Sequence, residues 1–189
     1  MDDVENSPCG RLRRAVVTDA DAIGRLVDAA YGHYVARIGR LPAPMAADHA
    51  AAVADHEVWV VDEAGAIVAV LELIPRSGHL FVENVAVRPD RQARGLGRRL
   101  LDFAEAEARR HGVPEIRLET NERFTENLAI YRRRGYVEVG RRPRAGTDVL
   151  ELAKALELDP ERQAGGTSLP PDQLTNLVHP GDANDPVDR

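Results

Sequence analysis

The sequence predicts an α+β fold, a mixed and mainly antiparallel sheet flanked by helices. Three observations carry that reading. The runs HEVWVVD, AIVAVLELI and HLFVENVAV are joined only by Glu63-Ala64-Gly65 and Ser77-Gly78, and connections that short leave three neighbouring antiparallel strands. After Pro89 the apolar period changes, so that Leu96, Leu100, Phe103 and Ala104 share one helical face. From there to residue 157 the pattern gives strand, helix and two more strands, which places helices on a sheet.

Taken in order, residues 12–17 (LRRAVV) predict the first strand. Thr18 or Asp19 offers a cap for a helix with Ile23, Leu26, Val27 and Ala30 on one face. The segment YGHYVARIGRLPAPM, with two prolines, predicts an irregular excursion, followed by a short helix over 46–54. The three strands of the two short turns come next. The helix after Pro89 runs to about residue 111, where His111-Gly112 and Pro114 stop it. EIRLETN is a strand, Thr125 to Arg134 a helix ended by Gly135, and YVEVGRR and DVLELAKAL two final strands.

Composition bounds the organisation. Residues 1–10 read as a flexible leader and 11–157 as one domain. Residues 158–189 read as a flexible acidic tail, since five prolines and three glycines fall after Leu158 with few large apolar groups. The alternative is that the tail folds back through Leu174, Leu177 and Val178. No run of about 18 apolar residues spans a membrane, and MDDVENSPCG lacks the basic and apolar regions of a secretory signal. Cys9 is the sole cysteine, which excludes a disulfide framework and a cysteine-based zinc site. His33, His49, His56, His79, His111 and His179 show no metal-ligand spacing, so no metal is expected. The net charge of -6 resides in the two ends and gives no support to nucleic-acid binding. These features together predict a cytoplasmic protein.

The most informative stretch is VAVRPDRQARGLGRRLL, residues 85–101. A strand ends at Arg88-Pro89, and Gln92-Ala93-Arg94-Gly95-Leu96-Gly97 runs into the amphipathic helix. Unpaired amides at a helix start and the helix dipole make an anion cradle. Gly95 and Gly97 permit the close approach of a diphosphate. Arg88, Arg91, Arg94, Arg98 and Arg99 surround it against Asp90 alone, and arginine's planar fork suits phosphate. The plainer reading is a glycine-containing turn with solvated arginines. The G-x-G-x-x-G spacing of dinucleotide folds is absent, and the preceding strands are antiparallel.

VENVAVRPDRQARGLGRRLL resembles the acyl-CoA-binding segment of the GNAT superfamily of N-acetyltransferases, whose signature Q/R-x-x-G-x-G/A is matched by Gln92, Gly95 and Gly97. A second family segment, a helix with Asn and Tyr before a glycine and an aromatic, is matched by Asn127, Tyr131, Gly135 and Tyr136. The resemblance covers about residues 11–157 and implies the GNAT acyl-CoA N-acyltransferase fold. It also implies acetyl-CoA as donor and an amine as acceptor, with direct transfer in a ternary complex rather than through Cys9. It implies that Gln92, Arg94, Gly95, Gly97 and Arg98 hold the donor's phosphates, that the backbones of Val85 and Val87 meet the thioester and pantetheine, and that Asn127 holds the pantetheine arm.

Acetyl transfer to an amine requires an acceptor deprotonated and positioned, a stabilised oxyanion and a protonated leaving thiolate. Glu83, with Asn84 inside an otherwise apolar strand, is the candidate base, directly or through water; the alternative is a solvated or salt-bridged glutamate on a sheet rim. Burial raises a carboxyl toward the range of a useful base. Asn84 is expected to order a water or bind the acceptor. Tyr131 is the candidate acid for the thiolate, and it also continues a packing stripe with Phe124 and Leu128. Tyr31, Tyr34 and Arg37, beside His33 and Arg40, are the candidate acceptor contacts; the alternative is packed tyrosines on a solvated basic face. A small-molecule amine is the expected partner, with no nucleic acid and no membrane, and a homodimer is compatible. A protein N-terminal acetyltransferase and a non-catalytic acyl-CoA-binding module are the competing readings.

Overall fold

A computed structural model describes residues 10–158. Cys9, the leader and the chain after Leu158 therefore lie outside the described residues. Seven strands form one sheet: β1 (Arg11–Arg14), β2 (Glu57–Glu63), β3 (Ala66–Arg76), β4 (His79–Val87), β5 (Glu115–Asn121), β6 (Val137–Arg144) and β7 (Thr147–Ala155). Four α-helices among the described residues accompany them: α1 (Ala20–Ile38), α2 (His49–Asp55), α3 (Leu96–Arg110) and α4 (Thr125–Arg133). The strand order is β1-β2-β3-β4-β5-β7-β6. Only β4 and β5 run parallel; every other pair is antiparallel. The mixed, mainly antiparallel sheet expected from the sequence is what forms.

Two apolar layers sandwich the sheet. Ile23, Leu26 and Val27 of α1 pack with Val58, Val60, Val70 and Ala86 on one face. Leu96, Leu100, Leu101 and Ala104 of α3 pack with Leu71, Leu73, Leu80 and Val82 on the other, joined by Leu128 and Tyr131 of α4. β3 is an inner strand covered on both faces, and Val68 to Leu73 are all buried, so its sequence is an apolar run interrupted only by Glu72 rather than an alternation. Outer strand β6 leaves Val137 and Val139 exposed.

Small differences from the sequence reading have local causes. The first strand ends at Arg14, because Asp19 turns back to accept from the Val16 amide at 2.8 Å and pairs with Arg13 at 2.7 Å, closing a 3-10 turn over Val17–Asp19. Asp19 thus precedes α1 without capping it through its side chain. The second helix begins at His49, where the Asp48 carboxylate accepts from the Ala50 and Ala51 amides at 3.0 Å each.

Three elements meet at a buried charge. Glu105 of α3 accepts from Arg134, just after α4, and from Lys154 of β7, both at 2.8 Å. Removing one partner of a buried ionic group leaves the others uncompensated. Glu105→Ala is expected to cost about 3 kcal/mol in denaturant unfolding; a change under about 0.5 kcal/mol, the scale of ordinary surface substitutions, would contradict this role.

Candidate active site

β4 and β5 share only three register pairs, Leu80 with Ile116, Phe81 with Arg117 and Val82 with Leu118. Beyond Val82, β4 stays with β3 and β5 stays with β7, so the two strands part like a wedge. The cause sits at Glu83. Opposite β3, Asn84 pairs with Glu72 and Val82 with Leu73, leaving Glu83 as the extra residue of a bulge. A bulge bends its strand and shifts side-chain parity. Leu80 and Val82 face the α3 layer before it, and Val85 and Val87 face that layer after it.

Past the bulge, Arg88 donates its amide to the Val68 carbonyl at 2.9 Å. Antiparallel alternation then turns the N–H and C=O groups of Val85 and Val87 away from β3, toward the gap. Side chains meet the two carbonyls: Tyr31 Oη shares its one proton between Val85, at 3.3 Å, and the nearer Asn84 Oδ1, and Gln92 Nε2 donates to Val87 at 3.0 Å. The amides find no partner in β5.

The gap opens into a cavity of about 950 Å³ that brings together Tyr31, Tyr34, Val85, Val87, Gln92, Gly95, Gly97, Arg98, Asn127 and Tyr131. Gly95, at φ 85°, stands before α3 in the left-handed region that glycine tolerates. The first helical bond runs from the Arg99 amide to the Gly95 carbonyl, at 3.0 Å. The amides of Leu96, Gly97 and Arg98 therefore have no intrahelical acceptor and form the positive end of the helix. A Cβ on Gly97 would stand 3.9 Å from Val87 Cγ2, on the cavity wall.

The arginine arrangement differs from the one expected. Arg88 pairs with Asp90 at 2.6 Å, Arg91 with Glu63 at 2.8 Å, and Arg99 donates to the Gly10 carbonyl at 3.0 Å. Arg94 is exposed and does not line the cavity. Arg98 does, together with Arg133 and Arg134 at the end of α4. The sequence reading missed the latter two, whose signal was the run Arg132-Arg133-Arg134 placed just before Gly135.

The remaining candidates divide. Asn84 is buried and accepts from Tyr31 Oη at 3.0 Å. Tyr34 is buried, stacks on Phe124 with ring centroids 3.8 Å apart, and donates to Asn127 Oδ1 at 3.4 Å. Arg37 does not line this cavity: it grips Glu126 at 2.7 and 3.0 Å and the Arg123 carbonyl at 3.2 Å, clamping α1 to α4. Asn121 likewise orders the turn into α4, through Thr147 Oγ1 at 2.7 Å and the Arg123 amide at 2.9 Å. Burial pushes the Tyr131 hydroxyl above its ordinary range, so it stays protonated at neutral pH.

Glu83 is exposed, not enclosed by the apolar neighbours its sequence context suggested, because the bulge turns it outward. It lines a second cavity of about 390 Å³, with Asn84, His56 and Glu72. Partial desolvation, then the Glu72 carboxylate, raise its carboxyl above the ordinary glutamate value of 4.5. A carboxyl raised in the folded state binds its proton more tightly there than in the unfolded chain. Its ionisation therefore lowers stability as pH rises through the window above 4.5. Glu83→Gln should melt higher than the parent at pH 7, and the advantage should vanish below the ordinary glutamate range. Equal melting at both pH values would contradict the shift.

Residues 54–138 match the family model for the acetyltransferase (GNAT) domain. An IAA acetyltransferase from Azospirillum brasilense is 35% identical over 75 residues, which is 40% of this chain and 49% of that protein, so the match spans about half the length of that curated relative. The PaiA N-acetyltransferase of Thermoplasma acidophilum, solved in complex with coenzyme A, superposes with a TM-score of 0.63 at 13% identity, over 75% of this chain and 96% of that one. The ribosomal-protein-S18-alanine N-acetyltransferase of Escherichia coli gives 0.61 at 20% identity, over 80% and 96%. These likenesses are of fold. The family model thus assigns residues 54–138 to an acetyltransferase (GNAT) domain, and the described residues share the fold of these solved acetyltransferases.

Proposed function

We propose that the protein is an acetyl-CoA-dependent N-acetyltransferase acting on a primary amine of a small molecule, by direct transfer in a ternary complex. The observation that carries this reading is the parting of β4 from β5 directly beside the open start of α3. The amides of Leu96, Gly97 and Arg98 suit a diphosphate, with Arg98 and Arg133 adding charge. The unpaired amides of Val85 and Val87 suit the pantetheine and the thioester carbonyl, where an oxyanion develops. The PaiA structure, which carries coenzyme A, supports the choice of donor.

In this reading Glu83 accepts a proton from the acceptor, directly or through water, in the cavity it lines with Asn84. The amine attacks the thioester carbon, the C–S bond breaks, and Tyr131 protonates the departing thiolate. The IAA acetyltransferase relative supports a small-molecule acceptor. The S18-alanine relative supports a second reading, in which the acceptor is a protein N-terminus.

Acetyl-CoA at a hundredfold over its Kd should stabilise the chain by about 2.7 kcal/mol, raising Tm by roughly 5–10 °C. Gly97→Glu, which adds a carboxylate to the cavity wall without a left-handed φ, should abolish the shift. No shift for the parent, or an equal shift for Gly97→Glu, would contradict the donor assignment. Thiol release is then followed with putrescine, tyramine, benzylamine and a peptide beginning with alanine. Tyr131→Phe should lower kcat about 100-fold on the best acceptor; an unchanged rate would remove the acid role. Preference for the peptide would favour the second reading.

A further inference from the structure

We infer that His56, oriented by the buried carboxylate of Glu72, is a second base on the acceptor side of the site and takes from Glu83 the proton that the acceptor ammonium gives up. The inference rests on the acetyltransferase reading and deepens it: His56 and Glu72 lie in neither the loop before α3 nor α4, whose motifs carry the resemblance in sequence.

Glu72 lies at the centre of the sheet, with its side chain only 8% exposed, and His56 Nδ1 stands 2.6 Å from its Oε1. Glu72 is the register partner of Asn84, at the bulge that turns Glu83 outward. His56 follows α2 and shares the smaller cavity with Glu83 and Asn84. Its Nε2 makes no hydrogen bond to any described residue. A carboxylate accepting from Nδ1–H fixes the ring tautomer, leaves Nε2 as the basic nitrogen and stabilises the imidazolium that forms. The ring is 32% exposed, so a proton it receives can pass to solvent.

Glu72 faces His56 from β3, and Glu83 of β4, Asp55 of α2 and Asp48, which caps α2, line the same cavity. Arg14 of β1 reaches only the backbone carbonyl of His56, at 3.5 Å. The cavity is therefore lined by carboxylates with no Lys or Arg among its residues, and it favours an acceptor that arrives as an ammonium.

The step balances. The ammonium gives one proton to Glu83, directly or through water, and Glu83 passes it to His56 Nε2 in the cavity they share; the neutral amine forms the C–N bond as the C–S bond breaks. Tyr131 protonates the thiolate, and the second nitrogen proton restores the tyrosine. The imidazolium proton goes to solvent, so one proton is released per amide formed. Glu72 is a positioning residue: it acts through the ring.

The test compares His56→Gln, His56→Ala and Glu72→Gln with the parent, on whichever of the four acceptors above has the highest kcat/KM, with acetyl-CoA binding measured in parallel. Each variant should bind acetyl-CoA within about twofold of the parent. His56→Gln should lose about 100-fold in kcat/KM at pH 7, and the loss should shrink at alkaline pH, where the acceptor is already neutral. Free imidazole should restore rate to His56→Ala but not to His56→Gln. Glu72→Gln should lose about tenfold and displace the acid limb of the pH profile. Parent-like rate and profile in His56→Gln would overturn the inference. So would an equal loss at every pH with no imidazole rescue, which is the mark of a structural role. A parent that binds acetyl-CoA but transfers to none of the four amines would overturn it too, while a parent that binds no acetyl-CoA would overturn the reading beneath it.

Discussion

Backbone amides and carbonyls that leave a sheet must find partners elsewhere, and β4 carries such a row. One extra residue, Glu83, bends the strand out of register with β3 and away from β5. The half of the sheet from β1 to β4 then separates from the half formed by β5, β7 and β6 at one end while remaining hydrogen-bonded at the other. Tyr31 and Gln92 take the carbonyls exposed by that split. Closing the sheet would satisfy the amides of Val85 and Val87 but eliminate the cavity.

The elements around the split are held by contacts that cross it. Arg37 grips Glu126, and Tyr34 stacks on Phe124, tying α1 to the start of α4. Glu105 ties the end of α4 to α3 and β7. Tyr131 sits between these two clamps, buried, its ring packed in the core cluster and lining the cavity. An aromatic ring can serve packing and present its hydroxyl at once, which is why the packing stripe and the proposed acid role coexist at one residue.

Much of this was legible in the sequence. The two short turns fixed the β2–β3–β4 meander, and the glycine turn before the period-3.6 run located the start of α3. Asn127 and Tyr131 fell on one helix because they lie four residues apart. Other features were not legible because they depend on pairing between distant residues. Glu83 read as enclosed in an apolar strand, yet it is a bulge, and a bulge is defined by its partner strand rather than by its own neighbours. Arg88 and Arg91 counted toward the charge of the cradle, yet Asp90 and Glu63 neutralise them. Arg37 resembled an acceptor contact, yet Glu126, 89 residues away in sequence, engages it. The pairing of His56 with Glu72 likewise needed the register of α2 against β3.

In the proposed function the split in the sheet and the open start of α3 form one donor site. Backbone amide NMR during titration with acetyl-CoA tests it most directly. The account predicts the largest shifts at Val85, Val87, Leu96, Gly97 and Arg98, saturating together. Saturable shifts confined to other surfaces, with those five amides unmoved, would contradict it.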